Sequence, residues 1–146
     1  MSEVLHAGLI ARRRGGVWRG VLIEGASGAG KSDLALRALA EGWRLVADDR
    51  VVVWRSGGRV YGRAPERLRG LVEGRGAGML AAAIVPAAEI VLAVVQAASP
   101  ERMPERATRT VAGVAVRSLA LNLLEGSALA KLTLTFRGDA ASQLGA

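Results

Sequence analysis

The sequence contains no cysteine, a single histidine and few aromatic residues, which make up 3% of the chain. Without cysteine there is no disulfide framework, no zinc site built on thiolates and no thiol chemistry. Charged residues interrupt the apolar runs near the N-terminus, so no signal peptide is recognisable and we expect a cytoplasmic protein. At 146 residues and 51% hydrophobic content, the chain is long enough for one core, and we predict a single domain over residues 1–146.

Lysine is scarce as well. Only Lys31 and Lys131 are lysines among the 20 basic residues, so arginine supplies nearly all of the net charge of +7. This charge is compatible with nucleic acid, an anionic nucleotide or an acidic protein surface, and it selects none of them. The densest arginine cluster, ARRRGGVWRG at residues 11–20, contains Gly15 and Gly16 and is predicted to be a solvated hairpin turn. No nucleic-acid-binding motif accompanies it, so we expect no nucleic-acid partner.

The longest apolar run, Met79–Ala98, has the length of a membrane span. Pro86 and Glu89 interrupt it, and its many alanines partition into a bilayer poorly compared with leucine. The part that reads EIVLAVVQ is continuously apolar and rich in valine, which is typical of a strand covered on both faces in an α/β sheet. We therefore predict a buried strand here and no membrane contact.

Local patterns predict an α/β order of elements. Short apolar runs bounded by glycine, proline or charge predict strands, and leucine and alanine at helical spacing predict a helix, which Gly42 is expected to end. The polar, proline-bearing residues 100–109 predict a loop. Strands are predicted at 4–11, 20–25, 44–48, 89–96, 113–124 and 129–136, a Gly-Gly hairpin within 50–64, and a helix at 31–42 that buries Leu34, Leu36, Ala38 and Leu39.

The strongest motif is GASGAGKS, which fits the phosphate-loop pattern G-x-x-x-x-G-K-[ST] and lies between a predicted strand and a predicted helix. Glycines allow the tight turns that point backbone N–H groups at phosphate oxygens, the lysine neutralises the phosphates, and the serine hydroxyl can bind Mg²⁺. The alternative is a glycine-rich turn that caps a helix and holds no ligand. The predicted nucleotide-binding residues are Gly25, Ala26, Ser27, Gly28, Ala29, Gly30, Lys31 and Ser32.

Two adjacent carboxylates, Asp48 and Asp49, follow the strand predicted after this helix. An acidic residue at the end of a neighbouring strand binds Mg²⁺ in many phosphate-loop enzymes. Adjacent side chains at a strand end diverge, so one carboxylate can face a metal while the other faces a hydroxyl to be deprotonated. The alternative is an acidic, solvated turn without a catalytic role.

The joint spacing of these elements resembles the HPr kinase/phosphorylase family over nearly the whole chain. GASGAGKSDLALRALAEGWRLVADDRV is similar to the family's signature from phosphate loop to paired aspartates, and LVEGRGAGML is similar to the Glu-x-Arg-Gly-x-Gly segment that follows it. The resemblance implies an α/β phosphate-loop domain like the phosphoenolpyruvate carboxykinase core, with a mixed sheet and few helices. It also implies an ATP-dependent kinase that acts on a serine of the phosphocarrier protein HPr and regulates carbohydrate metabolism or phosphotransferase signalling.

The resemblance assigns roles to the matching residues. Lys31 corresponds to the phosphate-binding lysine, and Ser32 and Glu73 correspond to the two magnesium ligands, which makes ATP and Mg²⁺ the expected cofactors. Asp49 corresponds to the residue that accepts the serine proton, with Asp48 as its supporting neighbour. The two aspartates are able to share that task as a coupled pair, so the sequence does not separate them.

Three further residues are catalytic candidates. Arg75 lies in the Glu-x-Arg-Gly segment, where a guanidinium can stabilise charge on the transferring phosphoryl group, although a surface arginine is its ordinary interpretation. His6, whose ordinary interpretation is a structural or surface histidine, corresponds to a family histidine on the strand before the phosphate loop. Arg102 in PERMPE corresponds, on a short string, to a family arginine.

The chain also departs from the family pattern. The family's N-terminal domain has no counterpart, and VAVRSLALN stands where many members have Pro-Val-Arg-Pro-Gly-Arg, so Arg117 matches the first arginine and the second is missing. In the family, that segment serves the reverse reaction, the removal of phosphate from HPr. The resemblance therefore does not imply phosphorylase activity for this chain. Little sequence follows KLTLTFRG for the C-terminal helices that elsewhere contact HPr and assemble a hexamer, which leaves a homo-oligomer open. A phosphate-loop ATPase or small-molecule kinase with another acceptor, and a non-catalytic nucleotide sensor, remain alternatives.

Overall fold

The structure is a computed structural model that describes residues 2–66 and 70–145. Within these residues, short strands dominate and two helices interrupt them. The strands are β1 (Ser2–Leu5), β2 (Ala7–Arg14), β3 (Val17–Glu24), β4 (Arg44–Ala47), β5 (Val51–Ser56), β6 (Arg59–Arg63), β7 (Leu71–Gly74), β8 (Gly78–Ala81), β9 (Ala88–Gln96), β10 (Ala107–Val111) and β11 (Val114–Leu121), and the helices are α1 (Lys31–Ala40) and α2 (Ala128–Gly145).

One mixed sheet of nine strands organises the fold, in the order β1-β5-β6-β9-β3-β2-β4, with β11 also paired to β9 and β10 paired to β11. β3, β9 and β11 run parallel, and the other pairs are antiparallel. β6 pairs with the first residues of β9, and β11 pairs with the later ones. The parallel strands therefore end together at one edge of the sheet, from which the phosphate loop leaves β3. This mixed α/β fold with few helices agrees with the sequence prediction.

Both faces of the central strands are covered, as the continuous apolar sequence of β9 predicts. Leu22 of β3 and Ala93 of β9 face one hydrophobic cluster, formed largely by strand residues. Ile23 and Val94, one position further along each strand, face a second cluster that contains the apolar sides of both helices. Met79 and its neighbours belong to strand β8, and among the described residues no helix has both the length and the apolar character needed to cross a membrane.

The arginine cluster forms a hairpin whose turn is exposed to solvent, as expected from the sequence, but Arg12 and Arg14 beside the turn are partly buried. Only Gly15 and Gly16 make the turn, and both have positive φ angles. The guanidinium of Arg12 lies 4.7 Å from the ring centroid of Trp43, and that of Arg14 lies 4.8 Å from the ring centroid of Phe136. Burial and the charge of Arg137 lower the pKa of Arg12, while Glu41 raises it. These two arginines therefore stabilise the fold by stacking on aromatic rings.

The strand predicted at residues 129–136 is wrong, because this segment lies within helix α2. The alternation of leucine and threonine in LTLTF imitates a strand, but Ala128, Leu132 and Phe136 recur every four residues and are buried in the helix-side core. The Thr135 hydroxyl donates a hydrogen bond of 2.8 Å to the Lys131 carbonyl, as threonine does in a helix.

The other predicted elements are correct in type, with small differences. Helix α1 ends at Ala40, and Gly42 follows it with a φ of 94°. Leu34 and Ala38 are buried as predicted, whereas Leu36 and Leu39 are partly exposed. The loop predicted at 100–109 ends earlier, because β10 begins at Ala107 and pairs with β11.

Candidate active site

The phosphate loop, residues 25–30, leaves the end of β3 and leads directly into α1. It closes on itself through a hydrogen bond of 3.0 Å from the Ala29 N–H to the Ala26 carbonyl. Gly30 precedes the helix with a φ of 107°, a conformation that favours glycine, and no side chain caps the first turn of α1. The N–H groups at the start of the helix are thus available to an anionic ligand, and the helix dipole favours negative charge there.

Lys31 is folded into this loop. Its side chain is buried, with 6% exposed, and Nζ donates hydrogen bonds to the carbonyl oxygens of Gly25, at 2.6 Å, and Ala26, at 3.2 Å. An ammonium group has three N–H donors, so one is left for a further acceptor. The lysine therefore holds the two arms of the loop together and keeps its charge inside the loop.

Asp48 connects three elements of the site. It directly follows β4, and 7% of the residue is exposed. Oδ1 accepts a hydrogen bond of 2.8 Å from the Ser32 hydroxyl of α1, and Oδ2 accepts one of 3.1 Å from the Glu73 backbone N–H of β7. One buried carboxylate thus holds the first turn of α1 beside the hairpin of β7 and β8, which we call the acidic hairpin because it carries Glu73.

Asp49 points away from this network. Its φ is 67°, and the Arg50 N–H donates a hydrogen bond of 2.7 Å to the Asp48 carbonyl, which closes a three-residue turn centred on Asp49. Such turns are rare and strained for residues other than glycine, although aspartate tolerates a positive φ better than most. Asp49 Oδ1 accepts a hydrogen bond of 2.6 Å from His6 Nε2, and 52% of the Asp49 side chain is exposed. The strained turn therefore separates the two carboxylates and gives them different partners.

The β7–β8 hairpin carries Glu73 and Arg75. Glu73 pairs with Met79 across the hairpin, and Arg75 lies in the turn between the strands. Val72 is buried on the opposite side of the hairpin from Glu73, and the Glu73 and Arg75 side chains are exposed. The hairpin thus presents both side chains to solvent next to Asp48.

The structure brings most of the predicted residues together and leaves two apart. Hydrogen bonds join Ser32 and Glu73 to Asp48, Lys31 to the phosphate loop, and His6 to Asp49, which directly follows Asp48. Arg102 is exposed in the loop between β9 and β10, and in the described part of the chain no hydrogen bond or ion pair joins it to this group. Arg117 lies within β11, opposite Leu92 of β9, where it lines a cleft of about 240 Å³ together with Arg14, Arg59 and Arg106.

The side chains of the site that could bind a metal ion all offer oxygen atoms. Ser32 offers a hydroxyl, and Asp48 and Glu73 offer carboxylates, which are the donors preferred by hard cations such as Mg²⁺. Within residues 2–66 and 70–145, no group of three or more acidic or histidine side chains lies close enough to hold a metal alone. A magnesium ion with few protein ligands that completes its shell with water and phosphate oxygens fits this donor set.

Sequence reasoning missed a turn that lies against the phosphate loop. Residues 122–127, which we call the β11–α2 turn, follow the end of β11. The Leu123 N–H donates a hydrogen bond of 2.8 Å to Gln96 Oε1 of β9, and Arg37 of α1 donates to the Leu123 and Glu125 carbonyls. Gln96 is the polar residue at the carboxyl end of the predicted strand 89–96, and this was the available signal for a tether at the strand end.

Residues 15–136 match the family described as HPr Serine kinase C-terminal domain. The chain is 38% identical over 125 residues to the HPr kinase/phosphorylase of Limosilactobacillus reuteri strain DSM 20016, a match that covers 76% of the chain and 39% of that relative. It is 50% identical over 62 residues to the HPr kinase/phosphorylase of Brevibacillus brevis, covering 42% of the chain. The chain thus spans about two fifths of the length of the first relative.

A solved structure resembles the chain across its full extent. The HPr(Ser) kinase/phosphatase from Coxiella burnetii superimposes with a TM-score of 0.80, covering 97% of this chain and 98% of that one, at 22% sequence identity. At this identity the likeness establishes a common fold.

Proposed function

Because the chain belongs to the HPr serine kinase C-terminal domain family, we propose that it transfers the terminal phosphoryl group of ATP to a serine of the phosphocarrier protein HPr. In this proposal residues 1–146 act as one catalytic domain of the phosphoenolpyruvate carboxykinase-like type. The observation that carries the proposal is Asp48, whose two oxygens connect Ser32 after the phosphate loop to Glu73 of the acidic hairpin. A nucleotide phosphate bound in the loop would lie beside all three residues.

The phosphate loop binds the nucleotide in this mechanism. Lys31 exchanges its contacts with the Gly25 and Ala26 carbonyls for contacts with oxygens of the terminal phosphates, while its side chain stays within the same loop. Backbone N–H groups at the start of α1 bind the remaining phosphate oxygens. Ser32 and Glu73 would hold Mg²⁺, which would neutralise charge on the phosphates, and Asp48 holds these two residues beside each other.

The different surroundings of the aspartates support a division of roles. Both Asp48 oxygens accept hydrogen bonds inside the protein, whereas Asp49 is half exposed and faces His6. Asp49 is therefore the group that accepts the proton of the acceptor serine, and His6 orients its carboxylate. The serine oxygen forms the new bond to the γ-phosphorus, the bond to the β,γ-bridging oxygen breaks, the proton passes to Asp49, and ADP leaves.

Arg75 stabilises negative charge on the transferring phosphoryl group in this proposal. It lies in the hairpin turn next to Glu73 and is exposed, so its guanidinium is free to approach the transferring phosphoryl group from the solvent side. Arg102 lies in the loop between β9 and β10, at the same sheet edge as the phosphate loop. It would approach the phosphoryl group from the β9 side.

The decisive experiment incubates the protein with ATP, Mg²⁺ and HPr and measures the intact mass of HPr. We expect one added phosphoryl group per HPr molecule, and none on an HPr variant in which the acceptor serine is alanine. Loss of ATP without a change in the mass of HPr would overturn the proposal in favour of an ATPase or of a kinase with another acceptor.

A further inference from the structure

The β11–α2 turn is held rigidly next to the phosphate loop. Besides the bonds from Leu123 and Arg37, the turn is closed by a hydrogen bond of 3.2 Å from the Leu124 N–H to Asn122 Oδ1 and one of 3.1 Å from the Glu125 N–H to the Asn122 carbonyl. The turn is therefore fixed within itself, to α1, which follows the phosphate loop, and to β9, which lies beside β3 in the sheet.

Two adjacent leucines in this turn have opposite environments. Leu123 is fully buried in the helix-side core, and it anchors the turn. Leu124 is 61% exposed, although its backbone is hydrogen-bonded. The tethers thus hold a large apolar side chain in solvent, at a place where the fold itself does not use it.

Leu124 lies on the phosphate loop. A Cβ atom built on Gly30 would be 2.7 Å from Leu124 Cδ2 and 3.1 Å from Leu124 Cγ, so the leucine occupies the space beside the last loop residue before α1. Gly30 precedes the N–H groups that are available to phosphate. The exposed part of Leu124 would therefore lie beside a polyphosphate chain bound in the loop, outside the polar backbone groups that would contact the phosphates.

The strand directions indicate what occupies this position. β3, β9 and β11 are parallel, and ligands of open α/β sheets bind in the crevice beyond the carboxyl ends of such strands. The phosphate loop follows β3, and the β11–α2 turn follows β11, two strands away across β9. A nucleotide with its phosphates in the loop has a flat nucleoside to place along this edge, and nucleosides bind to apolar side chains.

We propose that Leu124 packs against the nucleoside of the donor nucleotide and contributes to discrimination between a nucleotide and a bare polyphosphate. The inference depends on the proposed nucleotide binding by the phosphate loop and adds a contact to it. Leu124 is a binding residue in this proposal and takes no part in phosphoryl transfer.

The test compares the binding of ATP with that of inorganic tripolyphosphate, both in the presence of Mg²⁺, by isothermal titration calorimetry. Leu124→Ser should weaken ATP binding by about tenfold or more, as expected for a lost apolar contact, and should leave tripolyphosphate binding within about twofold. Leu124→Met, which retains an apolar side chain of similar size, should bind ATP nearly as the parent protein does. The matched control is Leu134→Ser, which changes a leucine of α2 that is 65% exposed and should alter neither ligand.

Each other result contradicts the inference. Unchanged ATP binding in Leu124→Ser means that the nucleoside lies elsewhere, and equal loss of both ligands means that the leucine only supports the loop. If the parent protein binds tripolyphosphate and ATP equally well, no nucleoside contact exists. Failure of the parent protein to bind either ligand would instead overturn the phosphate-loop function itself, and with it this contact.

Discussion

Burial of a lysine is costly unless its charge is hydrogen-bonded, and Lys31 meets this condition with the carbonyl oxygens of Gly25 and Ala26. These acceptors are neutral, so the ammonium charge is solvated by the loop without being neutralised. A phosphate supplies the missing negative charge and a stronger, charge-assisted hydrogen bond. The residue is therefore arranged for an anion, and its removal affects ligand binding more than folding.

We accordingly expect Lys31→Ala to remain folded and to lose most of its affinity for ATP. The substitution removes the lysine that is hydrogen-bonded within the loop, and the helix that follows keeps its hydrogen bonds and its apolar side. Circular dichroism and an ATP titration measure the two effects. A variant that keeps full affinity for ATP would show that the central residue of the phosphate loop is assigned wrongly.

Asp49→Asn and Glu73→Gln should separate proton transfer from metal binding. Asparagine also tolerates a positive φ, so Asp49→Asn keeps the strained turn, and we expect ATP and Mg²⁺ to bind while phosphorylation of HPr falls by about 10²-fold or more. Glu73→Gln keeps the backbone N–H that donates a hydrogen bond to Asp48. It weakens the metal site, so the variant should require more Mg²⁺ and be partly rescued by excess metal.

The measurement is the initial rate of HPr phosphorylation over a range of Mg²⁺ concentrations. Glu41→Gln, which removes an exposed carboxylate at the C-terminal end of α1, opposite the end that meets the phosphate loop, serves as the control for charge removal. The division of roles fails if Asp49→Asn and Glu73→Gln depend on Mg²⁺ in the same way.

At the scale of single residues, motif spacing predicted which side chains meet but not how they are oriented. The meeting of Ser32 with Asp48 follows from the strand-helix-strand order, which brings the start of a helix and the end of the next strand to one sheet edge. The reversal at Asp49 does not follow, because a positive φ at aspartate depends on the Arg50 hydrogen bond and on His6 from a distant strand. Gln96 and Arg37 were missed for the same reason, since their partners lie far away in sequence.

Secondary-structure elements were predictable where the pattern was long and failed where two periods competed. α1 and β9 have one dominant period, whereas α2 contains both an alternating LTLTF segment and a four-residue apolar repeat. Burial decides between them, because the four-residue repeat provides one continuous apolar side for the helix-side core. The short hairpin of β7 and β8 has no such core of its own and was recognisable only as a family motif.

The apolar side of α2 yields a stability prediction. Phe136 contacts Trp43 edge to face, with ring centroids 5.1 Å apart, and is 2% exposed. We expect Phe136→Ala to lower the free energy of unfolding by about 3–5 kcal/mol, because it removes a buried ring and leaves a cavity. Leu134→Ala changes an exposed position of the same helix and should have little effect.

Urea denaturation followed by circular dichroism compares the two variants. If both variants lost stability equally, the burial of Phe136 would not be what stabilises α2, since alanine raises helix propensity at both positions. A loss confined to Phe136→Ala would support the packing of this helix against β2 and α1.

For the whole molecule, the proposed direction of reaction follows from the distribution of arginines. The segment VAVRSLALN, which resembles the family's dephosphorylation segment, lacks the second arginine, and Arg117 lies within β11 rather than at the sheet edge that carries the phosphate loop. Phosphorolysis must bring a phosphate anion up to phosphoserine, and arginine is the side chain best suited to clamp that anion. The fold therefore offers the forward reaction more charge stabilisation than the reverse one.

We thus expect HPr phosphorylation to be faster than its reversal. The measurement supplies serine-phosphorylated HPr with and without inorganic phosphate and follows the release of pyrophosphate. Pyrophosphate production at a rate comparable to that of the forward reaction would contradict this prediction and show that Arg75 or Arg102 suffices.

The position of β3 between β2 and β9 also bears on how the protein is made. β2 emerges from the ribosome immediately before β3, but β9 is synthesised only after the whole phosphate loop, α1 and two hairpins, at about 5–20 residues per second. Until then the strand that carries the loop has an unpaired apolar edge, which is an opportunity for aggregation. The nascent chain therefore gains a complete phosphate-binding edge only late in translation, and folding is expected to be slow because this central pairing is so distant in sequence.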